Sequence, residues 1–223
     1  MTIKIIACEV MKEELLRVAS GCDIDFEFIS MGLHLHPEKL GEELQHLLDG
    51  LSGYSRVILA FGLCGGAARN LKAAGFVLTI PKVHDCIPLL LGSTASYETF
   101  RSEEKGTLYL SGGWMNGDRA ILSEYDRIYQ KYGERKATAV FSRMYSSYRR
   151  VLFIRTGSER ESFFLQRSHQ IADLLGLSHQ ITDGDISFIE KIVKGPWDTK
   201  DFITVPSGES INEWAFYEGK LEM

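Results

Sequence analysis

The sequence predicts an α/β fold, with parallel sheets flanked by helices and two βαβ-rich lobes joined by a helical middle segment. Three observations predict it. Runs such as IKIIAC (Ile3 to Cys8) and RVILAFG (Arg56 to Gly62) are continuously apolar, which suits strands covered on both faces rather than half-solvated ones. Segments of helical periodicity separate these runs, as βαβ crossovers require. The 223 residues are 44% hydrophobic and 25% charged, the balance of a chain with a packed core.

The elements follow in order. After the first strand, Leu15, Leu16 and Val18 mark the inner face of a helix from Met11 to Ser20. DIDFEFIS, Asp23 to Ser30, alternates as a second strand. MGLHLHP is a loop, and Pro37 opens a helix reaching about Leu51 with its stripe at Leu40, Leu44, Leu47 and Leu48. Arg56 to Gly62 is the third strand. The glycine-rich turn LCGGAARN leads from it into a short helix, and Phe76 to Pro81 is the fourth strand. Gly106 to Trp114 is a fifth. From Asp118 to Arg150 the pattern is helical, broken at Tyr132-Gly133 and rich in aromatics. RVLFIRTG, SHQITDG and DFITVPSG are then strands, separated by helices at Ser162–Leu175 and Ile186–Lys194, and the tail packs through Trp214 and Phe216. The expected division is an α/β lobe at 1–117 carrying the cysteine cluster, followed by a helical segment and second α/β lobe at 118–223. One continuous domain is the alternative.

The net charge of −5 and the lack of a Lys/Arg run argue against a nucleic-acid or anionic-membrane binder. The start, MTIKIIACEVMKEELL, is too short in apolar residues and too acidic for a signal peptide, and no stretch nears the ~20 apolar residues of a membrane span. A cytoplasmic protein is expected. Its four cysteines are then thiols, and none forms C-x-x-C.

Ligands of parallel α/β sheets bind outside the carboxyl ends of the strands. Cys8 ends the first strand, Cys64 follows the third, and Cys86 follows the fourth in the segment His84-Asp85-Cys86. Three cysteines therefore belong to one edge. Cys22 precedes a strand and belongs to the opposite edge. Thiolates with an imidazole suit zinc or an iron centre, so Cys8, Cys64, Cys86 and His84 form a candidate metal set. His34 and His36 follow the second strand and should reach the same edge. The bland reading is that buried cysteine is often a small hydrophobe and a loop histidine usually a solvated one.

A second constellation overlaps the first. Gly62 to Gly66 matches G-x-C-x-G, the cysteine form of the nucleophile elbow, in which Cys64 would attack with His84 as base and Asp85 as orienter. Gly62, Gly65 and Gly66 could equally serve to bring backbone close to a cofactor. Trp114, in SGGW, could add an indole to such a site. Arg155 and Thr156 end a strand and could face it. Dinucleotide, P-loop and H-E-x-x-H signatures do not occur.

The segments ACEV, FGLCGG, IPKVHDCIPLLLGS, Tyr97, GTLYLSGGW and the Tyr132-Gly133 break resemble a family catalogued as a domain of unknown function, number sixteen thirty-eight. The resemblance runs from about Ile3 to Val205 and carries over to Cys8, Cys64, His84, Asp85 and Cys86. Glu9 stands where members have a short aliphatic residue. Members are often encoded beside corrinoid-dependent methyltransferases in anaerobes, which implies corrinoid or one-carbon methyl metabolism and a small-molecule or corrinoid-protein partner. The leading expectation is therefore a protein binding zinc or an iron–sulfur cluster in that setting. The rivals are a cysteine-nucleophile hydrolase or transferase at Cys64, and a non-catalytic small-cofactor module. A homodimer through the edge of the first sheet is a further expectation.

Overall fold

The computed structural model describes residues 2–116 and 120–217. In chain order the strands are β1 (Ile3–Cys8), β2 (Ile24–Ile29), β3 (Arg56–Ala60), β4 (Val77–Pro81), β5 (Thr107–Leu110), β6 (Arg150–Arg155), β7 (Ser178–Asp183) and β8 (Phe202–Val205). The helices are α1 (Lys12–Val18), α2 (Pro37–Gly50), α3 (Ile87–Leu90), α4 (Thr94–Glu103), α5 (Ile121–Tyr132), α6 (Glu134–Met144), α7 (Glu161–Leu175) and α8 (Ser187–Lys194). No helix among the described residues is long and apolar enough to cross a membrane.

The chain forms two compact units. The first takes in the chain up to Leu89 and again from Ser187, and the second runs from Leu90 to Ile186. The first is built on a five-stranded sheet of order β2-β1-β3-β4-β8. β1 to β4 are parallel and β8 is antiparallel to β4, so the last strand does not continue the parallel pattern. The apolar runs read from the sequence fill its centre: Ile5, Ile6, Ala7, Val57, Ile58, Leu59 and Ala60 are all fully buried. Leu40, Leu44 and Leu48 recur every four residues and give α2 one buried face. Phe188, Ile189, Ile192 and Val193 do the same for α8.

The second unit has a parallel sheet of order β5-β6-β7. Strand β5, expected in the first lobe, thus pairs with β6, while β8, expected in the second, pairs with β4. The interruption at Tyr132-Gly133 separates α5 from α6, with Gly133 at φ 79°, a region glycine enters without penalty. SGGW does not extend β5. It folds into a short 3-10 turn at Gly113–Met115, and Gly112 ahead of the turn lies against the Phe164 ring, where a Cβ would stand 2.8 Å from it. The helix expected after the glycine-rich turn is only a 3-10 turn at Cys64–Gly66, while α4 was not expected at all. Phe216 is buried as expected, but Trp214 is 65% exposed. The 117/118 border, the helical start at Asp118 and the last six residues of the tail lie outside the described residues.

Candidate functional site

The strand order places a topological switch point in the first sheet. From β1 the chain crosses to β2 on one side and then returns to β3 on the other, so the loops after β1 and β3 diverge and leave a crevice at their carboxyl ends. Cys8 is the last residue of β1, and Cys64 lies in the loop after β3. The third cysteine is brought in by the backbone. The Leu63 amide donates to the Val83 carbonyl at 2.9 Å, and the Cys64 amide donates to the His84 carbonyl at 2.8 Å. These two bonds fasten the loop after β3 to the loop after β4, which carries Cys86. Gly62 permits the contact: a Cβ there would stand 2.6 Å from the Asp85 amide nitrogen and 2.7 Å from the His84 carbonyl carbon.

Cys8 and Cys86 are buried, and Cys64 keeps part of its surface. The three thiols are electrostatic neighbours. Burial pushes Cys8 up to about 12, with the Cys64 charge adding to it. Burial pushes Cys64 to about 12, with a contribution from Asp85. Cys86 lies well above the ordinary thiol value, through burial and then the charges of Cys8, Cys64 and Asp85. All three are thus protonated at neutral pH, and thiolates there need a compensating cation. Cys22 is exposed ahead of β2, at the opposite edge.

Cys64 also has an uncommon backbone. Its φ of 46° lies in the left-handed region, shared among described non-glycine residues only with Asn70. Such a conformation costs about 1–3 kcal/mol and persists where surrounding structure enforces it. The adjoining Gly65 and Gly66 also have positive φ, and Gly65 meets Pro37 closely. Beside this turn opens a cavity of about 360 Å³, lined by Pro37, Glu38, Gly41, Gly65, Gly66 and Arg69 among others. Arg69 forms an ion pair with Glu213.

The remaining candidates divide. The His84 ring packs on Tyr217 at 5.3 Å between centroids. Asp85 Oδ1 accepts from the Ile87 amide at 2.8 Å and so caps α3, while burial raises its pKa. Glu9 Oε1 accepts from the Met31 amide at 2.7 Å and the Ser30 hydroxyl at 3.1 Å. His36 is exposed. Trp114 packs against the apolar core of the second unit, and Arg155 there pairs with Asp183 at 2.5 Å.

His34, which the sequence places after β2 at the same edge, stands out in the structure. Both ring nitrogens are buried and lack a hydrogen-bond partner among the described residues. Burial lowers its pKa, opposed by the Met31 backbone and by the Glu9 charge. Among the described residues, no group of three or more His, Cys, Asp or Glu side chains is preformed to hold a metal ion.

A family model described as "Protein of unknown function (DUF1638)" matches residues 28–193. The chain belongs to this family. The DUF1638 match begins within β2 and ends within α8, so it takes in His34, Cys64, His84, Asp85 and Cys86 but not Cys8. The place of Cys8 in the site therefore rests on the sheet. No curated protein and no solved structure matches the chain.

Proposed function

We propose that this DUF1638 protein binds a soft metal ion or a metallocluster through Cys8, Cys64 and Cys86. One observation carries the reading. The end of β1 and the loops after β3 and β4 carry three thiols to the carboxyl edge of a parallel sheet, on either side of its switch point, close enough for Cys86 to feel the charges of Cys8 and Cys64. Three thiolates without a cation repel one another there. A divalent ion offsets that repulsion, and sulfur donors select zinc, copper(I) or iron–sulfur centres over magnesium or calcium. Since no cradle is preformed among the described residues, binding has to draw the loops inward. The corrinoid or one-carbon setting, a corrinoid-protein partner and a cytoplasmic location rest on the family resemblance and the sequence rather than on the geometry.

The second reading, Cys64 as a nucleophile, is favoured by its left-handed backbone, which matches a strained elbow. Against it stand the elevated thiol pKa, the use of Asp85 as a cap, and a 3-10 turn where an elbow has a helix.

Zinc affinity, measured by competition with a chromophoric chelator, separates the two. The metal reading predicts that Cys8→Ser, Cys64→Ser and Cys86→Ser each weaken binding by at least about tenfold. Equal zinc affinity in the wild type and all three variants would overturn it.

A further inference from the structure

In the second unit, α5 and α6 fold back on one another around Gly133 as a helical hairpin. The Tyr125 ring meets Phe141 edge-on at 5.2 Å, and its hydroxyl shares a hydrogen bond with Thr138 Oγ1 at 3.3 Å. Ala137 and Phe141 are buried on α6, whereas no residue of α5 is. The hairpin therefore keeps apolar surface open: Tyr129, Tyr132, Val140 and Met144 are all exposed, Met144 by 61%. Between the two helices runs a groove of about 320 Å³, lined by Ile128, Tyr132, Lys136, Ala139 and Val140. A cluster of exposed apolar side chains with a polar rim marks an interaction surface more often than a solvated one.

The rim is cationic. Lys131 and Lys136 hold their ammonium groups 5.0 and 5.4 Å from the centre of the Tyr132 ring. Lys131 follows Ile128 by three residues and Arg143 follows Val140 by three, so both stand on the groove side of their helices. Among the described residues, none of these three cations forms an ion pair with a carboxylate, while Glu124 is taken by Arg127 at 3.2 Å. Asp126 and Glu134 lie two residues from Ile128 and Lys136, a spacing that turns them away from the groove. The surface thus joins an apolar floor to three positive charges whose counter-charge is not in the hairpin.

We infer that this groove docks an acidic amphipathic helix of a partner protein, with apolar anchors seated between α5 and α6 and carboxylates facing Lys131, Lys136 and Arg143. Helices enter grooves of this kind through side chains spaced three and four residues apart. Charge selects the occupant. A second copy laid face to face would set these cations against their own counterparts, which like-charge repulsion opposes. A flat anionic membrane would meet the cations and leave the groove unfilled. The inference does not depend on the thiol site, which belongs to the first unit.

The test titrates the full chain into a fluorescein-labelled helical peptide of leucine, alanine and glutamate, with leucines spaced three and four residues apart, and reads anisotropy. The control peptide has lysine for every glutamate. Wild type is expected to bind the acidic peptide at least about tenfold more tightly than the basic one, and more weakly as salt is raised. Val140→Glu and Lys136→Glu are each expected to lose at least about tenfold in affinity. Both residues are exposed, so both variants should melt like wild type, and Lys39→Glu on α2 should bind like wild type. Failure to bind the acidic peptide, equal binding of the two peptides, or binding that neither groove variant weakens would overturn the inference. Two further results would also overturn it by naming another occupant. One is sedimentation as a dimer that Val140→Glu dissociates. The other is co-sedimentation with vesicles of phosphatidylcholine and phosphatidylglycerol that Val140→Glu abolishes.

Discussion

The amide of Cys64 donates to the carbonyl of His84 at 2.8 Å, so the backbone of one candidate residue is fastened to that of the next strand's loop. This bond and its neighbour from Leu63 to Val83 join the loop that carries Cys64 to the loop that carries Cys86. They form only because the residue ahead of them, Gly62, has no Cβ.

Gly62→Ala tests that dependence. The new methyl would overlap the Asp85 amide, so the two loops must part. The expected result is a destabilisation of about 1–3 kcal/mol, the usual range for overpacking, with zinc affinity lost more completely than the fold. Chemical denaturation with a parallel zinc titration checks it. Wild-type zinc binding in this variant would detach the loop contact from the site.

Thiol reactivity separates exposure from acidity. At pH 8 a thiol with pKa near 12 is only about one part in ten thousand thiolate. Cys22 is exposed and should be alkylated first, with Cys8, Cys64 and Cys86 far slower. The Cys64 rate should climb with pH without levelling off below about pH 11. Time-resolved alkylation read by mass spectrometry checks this, and fast labelling of Cys64 near neutral pH would favour the nucleophile.

The positive φ at Cys64 predicts a trade of stability against function. Cys64→Gly removes the penalty of a left-handed side chain and should be no less stable than wild type, while binding no zinc at that position. Cys64→Val, β-branched, should lose about 1–3 kcal/mol. Thermal melts of the two variants decide; a glycine variant far less stable than the valine one would mean that the backbone strain is not there.

Lys4 sets the pH range of the first sheet. Its side chain is nearly buried and reaches Asp25 at 3.1 Å and Glu27 at 3.2 Å on β2. Burial alone would lower its pKa, but the hydrogen bonds to Asp25 and Glu27 outweigh it and the net shift is upward. Its contribution is therefore complete below the unfolded value of 10.5 and lost as pH rises through the folded one. Asp25 is held low by the Tyr54 hydroxyl and then by Lys4, so its contribution is present above 3.8 and lost as pH falls through its lower folded value. Wild-type stability relative to Lys4→Met should be flat from about pH 5 to about pH 10 and fall off below and above that range. Urea melts across that range measure it.

Particular residues show what the sequence could reveal. The apolar runs of β1 and β3 were legible because burial on both faces leaves its mark in composition. The edge shared by Cys8, Cys64 and Cys86 followed from strand direction alone. Helix α4 left no such mark: none of its residues is buried, so it has no apolar stripe to read. The pairing of β5 with β6 and the antiparallel return of β8 to β4 are long-range choices that no local pattern encodes. His34 carries no mark in the sequence beyond its place after β2, because a loop histidine gives no local sign that its ring will be buried. Its tie to Glu9 and its stack on Phe61 appear only in three dimensions. The left-handed turn at Cys64 was half visible, in the glycines that follow it.

The most direct test of the thiolate site is elemental analysis with an ultraviolet–visible spectrum, on wild type and Cys64→Ser purified without oxygen. The account predicts about one equivalent of zinc, or iron with a sulfide-to-iron charge-transfer band, in wild type and little in the variant. Wild type that carries no metal and cannot be reconstituted with zinc or with iron and sulfide would contradict it, and would leave Cys64 as a nucleophile or the crevice as the seat of an organic ligand.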